Sequence, residues 1–304
     1  MFGSYSIHTD LALEDKERFE SDNVEVSGVS VEEFYDEERE IRITEVKILT
    51  ENGAKTMRKP IGTYITMEMA NLVLPDEEYH HEVAKELAKY VGNILKLDKT
   101  DYTALVVGLG NRDVTPDALG PQTVDNLNIT RHIVKEYGKY AMDETQVHMI
   151  SAIAPGVMAQ TGMESFEIIK GVVDTIHADV VFVVDALAAR NTKRLNRTIQ
   201  IADTGIHPGS GVGNNRNALT KESIGVPVIA IGVPTVVAAA TIVIDAIEKI
   251  SKETGADTYY KFLEQNTKTL GELQNMFVTG KDVDAIIERL SDTLSFALNM
   301  AFEF

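Results

Sequence analysis

The chain of 304 residues contains no cysteine. Disulfides, thiolate metal sites and a cysteine nucleophile are thereby excluded. A chain without thiols fits a reducing compartment, here expected to be the cytoplasm. Basic residues are scarce. Lys and Arg number 29 against 47 Asp and Glu, a formal net charge of -18. A surface for DNA or RNA needs a basic footprint, so no nucleic-acid partner is expected. An anionic membrane surface is disfavoured for the same reason. The N-terminus lacks a basic region followed by an apolar core, so no signal peptide is expected. Long apolar runs are also lacking. The longest, over 226–247, is broken by Pro227, Gly232, Pro234 and Asp245. It reads as a buried strand and helix, not as a membrane span.

Several catalytic signatures are missing as well. No Gly-Lys-Ser/Thr closes the glycine-rich loop at 203–216, which is therefore not a Walker A loop. Gly108-Leu109-Gly110 lacks the third glycine of a dinucleotide fingerprint, since position 113 is Asp. His81-Glu82 continues to Lys85 where a zinc protease needs its second histidine, so His80 and His81 read as a solvated helix face. No Gly-x-Ser-x-Gly elbow occurs, which disfavours a serine hydrolase.

What the chain has is an α/β rhythm. Hydrophobic residues make up 44% and charged residues 25%, ordinary values for a globular protein. Alternation predicts strands at 24–31 and 41–49, and Asn52-Gly53 signals a hairpin returning through 56–59. A further strand is expected at 64–69. Pro75 with its acidic followers starts a helix. Short apolar runs at 105–107, 147–152, 180–184, 198–201 and 228–231 then alternate with helical patterns at 124–137, 165–176 and 235–251. The tail from 257 reads as helices. The expectation is α/β, a largely parallel sheet flanked by helices, with a β-rich N-terminal portion and C-terminal helices. No internal repeat or low-complexity linker interrupts it.

Sites in such folds lie at the carboxyl ends of the strands. Asp117 sits in the loop after one strand, and Asp185 ends another, the continuous apolar run 180–184. Two carboxylates facing one cleft can divide the labour. One, ionised, activates water; the other, protonated, donates to the scissile amide. Asp113 is a third carboxylate nearby and reads as a loop residue. As a bland alternative, Asp185 caps a loop and Asp117 makes a turn. The loops at 153–162 and 203–216 allow close backbone approach to a ligand. His207 lies in the second and is read as a loop hydrogen-bonding residue.

Several motifs in order resemble the germination protease family of spore-forming bacteria. They are Gly-Leu-Gly-Asn-x-x-Val-Thr-Pro-Asp-Ala-Leu-Gly-Pro at 108–121, Ala-Pro-Gly-Val-Met-Ala-Gln-Thr-Gly-Met-Glu at 154–164, Asp-Ala-Leu-Ala-Ala-Arg at 185–190, Asp-Thr-Gly-Ile-His-Pro-Gly-Ser-Gly-Val-Gly-Asn-x-Arg at 203–216 and Ile-Gly-Val-Pro-Thr-Val-Val at 231–237. The resemblance covers most of the chain. Gly-x-Gly-Asn with a later Asp is similar, more distantly, to the hydrogenase maturation proteases, implying a hydrogenase-maturation-protease/phosphorylase-like fold.

The family resemblance implies an endopeptidase that degrades small acid-soluble spore proteins during germination, located in the cytoplasm of the forespore or spore core. It implies Asp117 and Asp185 as the catalytic pair, a homotetramer, and synthesis as an inactive zymogen. It places processing between Asp10 and Leu11, so that residues 1–10 form a propeptide and 11–304 a single α/β peptidase domain. Asn111, Gly209, Gly211, Asn214 and Arg216 are the expected substrate-binding residues. No cofactor is expected and no metal ligands are assigned, although metal dependence stays open. A metal-dependent processing peptidase of the hydrogenase maturation type is the alternative, and a non-catalytic binding module with a glycine-lined pocket is a third reading.

Overall fold

The computed structural model describes residues 9–21, 27–95, 97, 101–142, 147–209, 217–254, 271–273 and 276–303. Among these described residues nine strands form one sheet. They are β1 (Val29–Asp36), β2 (Ile41–Ile48), β3 (Gly62–Met69), β4 (Thr103–Gly108), β5 (Met149–Ile153), β6 (Val180–Ala189), β7 (Thr198–Ala202), β8 (Val228–Ala238) and β9 (Phe277–Val278). Their order is β1-β2-β3-β7-β8-β6-β4-β5, with β9 added to β8. The expected parallel sheet is the half β5-β4-β6-β8. The β-rich N-terminal strands continue the same sheet antiparallel through β7.

Both faces of the sheet are covered, which is why the central strands read as unbroken apolar runs. Residues alternate between faces along a strand. Val180, Phe182 and Val184 of β6 join Leu87 and Val91 of helix α3 (Glu77–Ile94) and Leu290, Leu294 and Leu298 of the C-terminal helix α10 (Val283–Ala301). Val181 and Val183 meet Ile169 and Val173 of α7 (Ser165–Ile176) on the opposite face. Each fully buried aliphatic side chain contributes about 1.5–3 kcal/mol. Among the described residues no helix is long and apolar enough to cross a membrane.

Five sequence-based expectations change. Residues 51–57 form helix α2 (Glu51–Met57), not a hairpin with a returning strand. The Thr50 hydroxyl accepts the Gly53 N–H at 3.1 Å, an N-cap that wins over the turn signal. Gly53 serves instead for close packing, since a Cβ there would lie 2.9 Å from the Gly28 carbonyl oxygen. The single helix expected at 124–137 is two, α4 (Leu119–Asp125) and α5 (Arg131–Tyr137). Side chains of α10 take up the backbone between them: Asn299 accepts the Asn128 N–H at 2.8 Å and donates to the Asn126 carbonyl at 3.1 Å.

Asp185 does not end β6. The strand runs on to Ala189, paired with β8 through a bulge at Leu187/Ala188. β8 likewise continues through Thr235, and helix α9 (Ala239–Thr254) starts later than expected. Its β-branched Val236 and Val237 favour extension. His80 is not solvated. It is 8% exposed, with Nδ1 2.7 Å from the Thr293 hydroxyl and Nε2 3.1 Å from the Leu74 carbonyl. The ring of His81, its neighbour, lies tilted at 37° to that of Phe296 with centroids 4.6 Å apart.

Candidate active site

The stretch after β4 is shaped by backbone contacts that only glycine permits. Gly110 has φ +115°, and a Cβ on it would lie 2.0 Å from the Asp117 carbonyl oxygen. The chain then makes a short 3-10 turn, Thr115–Asp117, before α4. Asp117 is half-buried. Its Oδ2 accepts the Asn111 N–H at 2.7 Å, so the loop binds its own carboxylate from behind. The Asn111 side chain accepts from the Asp113 N–H at 3.0 Å and from Gln160 Nε2 at 2.9 Å. Gln160 also donates to Asp113 Oδ2 at 3.1 Å, tying this loop to helix α6 (Met158–Thr161).

Asp185 comes from the middle of β6 and is 7% exposed. Its Oδ1 accepts the Ala186 N–H at 3.0 Å. Asp117 and Asp185 line one cleft of about 450 Å³ together with Asp10, Gly110, Val114, Leu187, Gly209 and Thr235. Two carboxylates of unequal burial on one cleft are equipped for acid–base work on a bound water. Among the described residues no group of three or more His, Asp or Glu is placed to hold a metal ion.

The other expected site residues divide. Asp10 and Gly209 line the cleft. Leu11 is fully buried beside it, against Leu187, Ala189 and Val237. Asn111 is not a lining residue: its side chain is taken up by Gln160 and Asp113, and its contribution is the N–H that holds Asp117. Asp113 is exposed, and so is His207, which does not line the cleft. Gly211, Asn214 and Arg216 lie outside the described residues.

The N-terminal segment is tied into the cleft along the end of β6. Asp10 N–H donates to the Ala188 carbonyl at 3.2 Å, and Ala188 N–H donates to Asp10 Oδ2 at 2.9 Å. The Asp10 carbonyl oxygen accepts from Lys59 Nζ at 3.0 Å and Gln200 Nε2 at 3.2 Å. Gln200 Oε1 accepts the Ala12 N–H at 2.8 Å. Glu14, on helix α1 (Ala12–Ser21), accepts the Arg190 and Asn191 N–H groups at 2.8 Å each and the Thr9 hydroxyl. Buried Arg194 gathers Glu14, Glu17 and Glu68 at 3.4, 2.6 and 2.8 Å. Burial works against the Arg194 charge, but these carboxylates hold its pKa above the usual value.

Tyr64 steadies the loop that carries Lys59. Burial pushes its hydroxyl up to about 12, so it stays protonated and donates to the Pro60 carbonyl at 2.9 Å.

Lys59, Gln200 and Arg194 carry no motif. The one signal was Gln200, a polar side chain in the apolar run of β7. Lys59 fell in the stretch read as a returning strand.

A mixed sheet covered by helices, with two carboxylates on one cleft at its parallel half, defines an α/β protein. Residues 7–271 match the model of the germination protease family. The chain is 47% identical to a germination protease of Caldanaerobacter subterraneus subsp. tengcongensis, over 98% of this chain and 94% of that one. It is 43% identical to a germination protease of Clostridium tetani, over 98% and 96%. A [NiFe] hydrogenase maturation protease, HycI from Thermococcus kodakarensis KOD1, is similar at 19% identity and TM-score 0.28, over 48% of this chain and 80% of that one. The chain belongs to the germination protease family and is a peptidase.

Proposed function

We propose that the chain is an endopeptidase that initiates degradation of small acid-soluble spore proteins during germination, with Asp117 and Asp185 activating water. The observation that carries this reading is that the two carboxylates, one from the turn before α4 and one from β6, line one cleft. One takes a proton from water as its oxygen adds to the peptide carbonyl carbon. The other gives a proton to the departing amide nitrogen.

The same reading makes residues 1–10 a propeptide removed by self-processing, and 11–304 a single peptidase domain. Asp10 lining the cleft beside both carboxylates supports it. A homotetramer in the forespore or spore core, acting without nucleic acid, membrane or cofactor, completes the proposal.

The test incubates a purified form starting at Leu11 with a small acid-soluble spore protein, with and without chelator, beside Asp117→Asn and Asp185→Asn forms. Each substitution is expected to lower kcat by roughly 100-fold or more, since general acid–base groups contribute about 100- to 10,000-fold. Full cleavage by both variants would sink the aspartate pair. Activity abolished by chelator would instead favour the metal-dependent processing peptidase.

A further inference from the structure

Gln200 bridges the two peptide units that flank Leu11, with Nε2 on the Asp10 carbonyl and Oε1 on the Ala12 N–H. Lys59 adds a positive charge 3.0 Å from the same carbonyl oxygen. The carbonyl that Lys59 and Gln200 share is that of the Asp10–Leu11 bond.

Sheet register relates this clamp to the carboxylates. Asp185 pairs with Gly232, and Gly232 pairs with Gln200. Residues in one row across a sheet share a face, so Asp185 and Gln200 point the same way from strands two apart, on the order of 10 Å between Cα atoms. Gly232 between them has no side chain, and Leu187 leans over it: a Cβ there would lie 2.6 Å from Leu187 Cδ1. Leu11 packs on Leu187. The carbonyl of Asp10 is thus held at the Gln200 end of a row whose other end carries Asp185.

We infer that Lys59 and Gln200 are catalytic residues that polarise the Asp10 carbonyl and stabilise the oxyanion formed there. The inference rests on the reading of Asp10–Leu11 as the processed bond. Water oxygen adds to the Asp10 carbonyl carbon, its proton passing to one carboxylate of the pair. The π electrons of the carbonyl move onto the oxygen held by Lys59 and Gln200. As the tetrahedral carbon collapses, the C–N bond breaks and the Leu11 nitrogen takes a proton from the other carboxyl. The products are the Asp10 carboxylate and the Leu11 amine. Donors aimed at the oxygen where charge develops are worth most in a water-poor site, and the Lys59 side chain is 15% exposed.

Lys59 also lies 3.7 Å from Asp15, so it could act only as a tether for the segment. The experiment separates the two roles. Full-length protein is followed by mass spectrometry for release of residues 1–10, with amide hydrogen exchange reporting whether Ala12 stays docked. Lys59→Met is expected to slow release roughly 100- to 1000-fold with Ala12 still protected. Lys59→Arg is expected to recover most of the rate, and Asp15→Asn to leave it near wild type. Gln200→Glu keeps the acceptor for Ala12 and removes the donor; it is expected to slow release while Ala12 stays protected.

A Lys59→Met rate within about threefold of wild type would overturn the assignment, as one removed oxyanion donor should cost far more. So would a slow variant that has lost Ala12 protection and is matched by Asp15→Asn, because Lys59 would then be a tether. Wild-type protein that cuts added spore protein but never its own Asp10–Leu11 bond would overturn the processing reading and the clamp with it.

Discussion

Gly120→Ala perturbs the site without touching a polar side chain. A Cβ at position 120 would lie 2.4 Å from the Leu109 carbonyl oxygen, 2.5 Å from the Val184 carbonyl oxygen and 2.6 Å from the Leu109 nitrogen. All three are backbone atoms of neighbouring elements, so no rotamer change relieves the contact. Ordinary van der Waals contact begins near 3.4 Å. Helix α4 must therefore withdraw by about 1 Å, a displacement that overpacked cores resist at a typical cost of about 1–3 kcal/mol. Asp117 lies three residues before Gly120, in the turn that leads into α4, and moves with it. A misplacement of about 1 Å in a catalytic constellation can cost roughly 100-fold in rate. The expected outcome is a lower urea midpoint at unchanged m value, with kcat down roughly 100-fold on a spore-protein substrate. A variant with wild-type midpoint and wild-type kcat would refute the claim that the close approach of α4 to β4 and β6 positions Asp117.

Two further outcomes follow from buried charge. Arg194→Met removes the cation shared by Glu14, Glu17 and Glu68, leaving Glu14 buried with only neutral donors. A loss of about 3 kcal/mol in chemical denaturation is expected, with α1 becoming susceptible to limited proteolysis before the rest. Burial holds the His80 pKa below its ordinary 6.5, aided by the nearby Arg289 charge and opposed by the Leu74 carbonyl and Asp76. The unfolded chain then binds the extra proton more readily, so this contribution to stability is full above pH 6.5 and is lost progressively as pH falls from there through the lower folded-state pKa. His80→Asn should flatten that part of the profile; an unchanged difference between wild type and variant from neutral to mildly acidic pH would count against it.

The parallel half of the sheet was legible because strands buried on both faces are written as unbroken apolar runs, as in 180–184. Its extent was not. Asp185 breaks the apolar pattern and so looked like a strand end, yet pairing with β8 carries the strand to Ala189. Polar residues that end strands and polar residues that serve a site within them look alike in one dimension. The N-terminal hairpin was misread because Asn-Gly chemistry favours a tight turn, while the Thr50 cap and contact with Gly28 decide otherwise. Asp117 and Asp185 were marked by their places at the ends of strand patterns and, as a pair, by motif resemblance; their sharing of a cleft is what the fold adds. Lys59 and Gln200 escaped notice because what they bind is backbone 49 and 190 residues away in the chain.

The way residues 10–12 are held has a consequence for what else can take their place. The Asp10 N–H, the Asp10 carbonyl and the Ala12 N–H are all spent on Ala188, Lys59 and Gln200. A segment already wound into a helix has committed those same groups to its own ladder and has none to offer. A cleft that grips a chain by its main-chain donors and acceptors therefore discriminates by conformation before it reads any side chain. Such a site waits for its target to unwind.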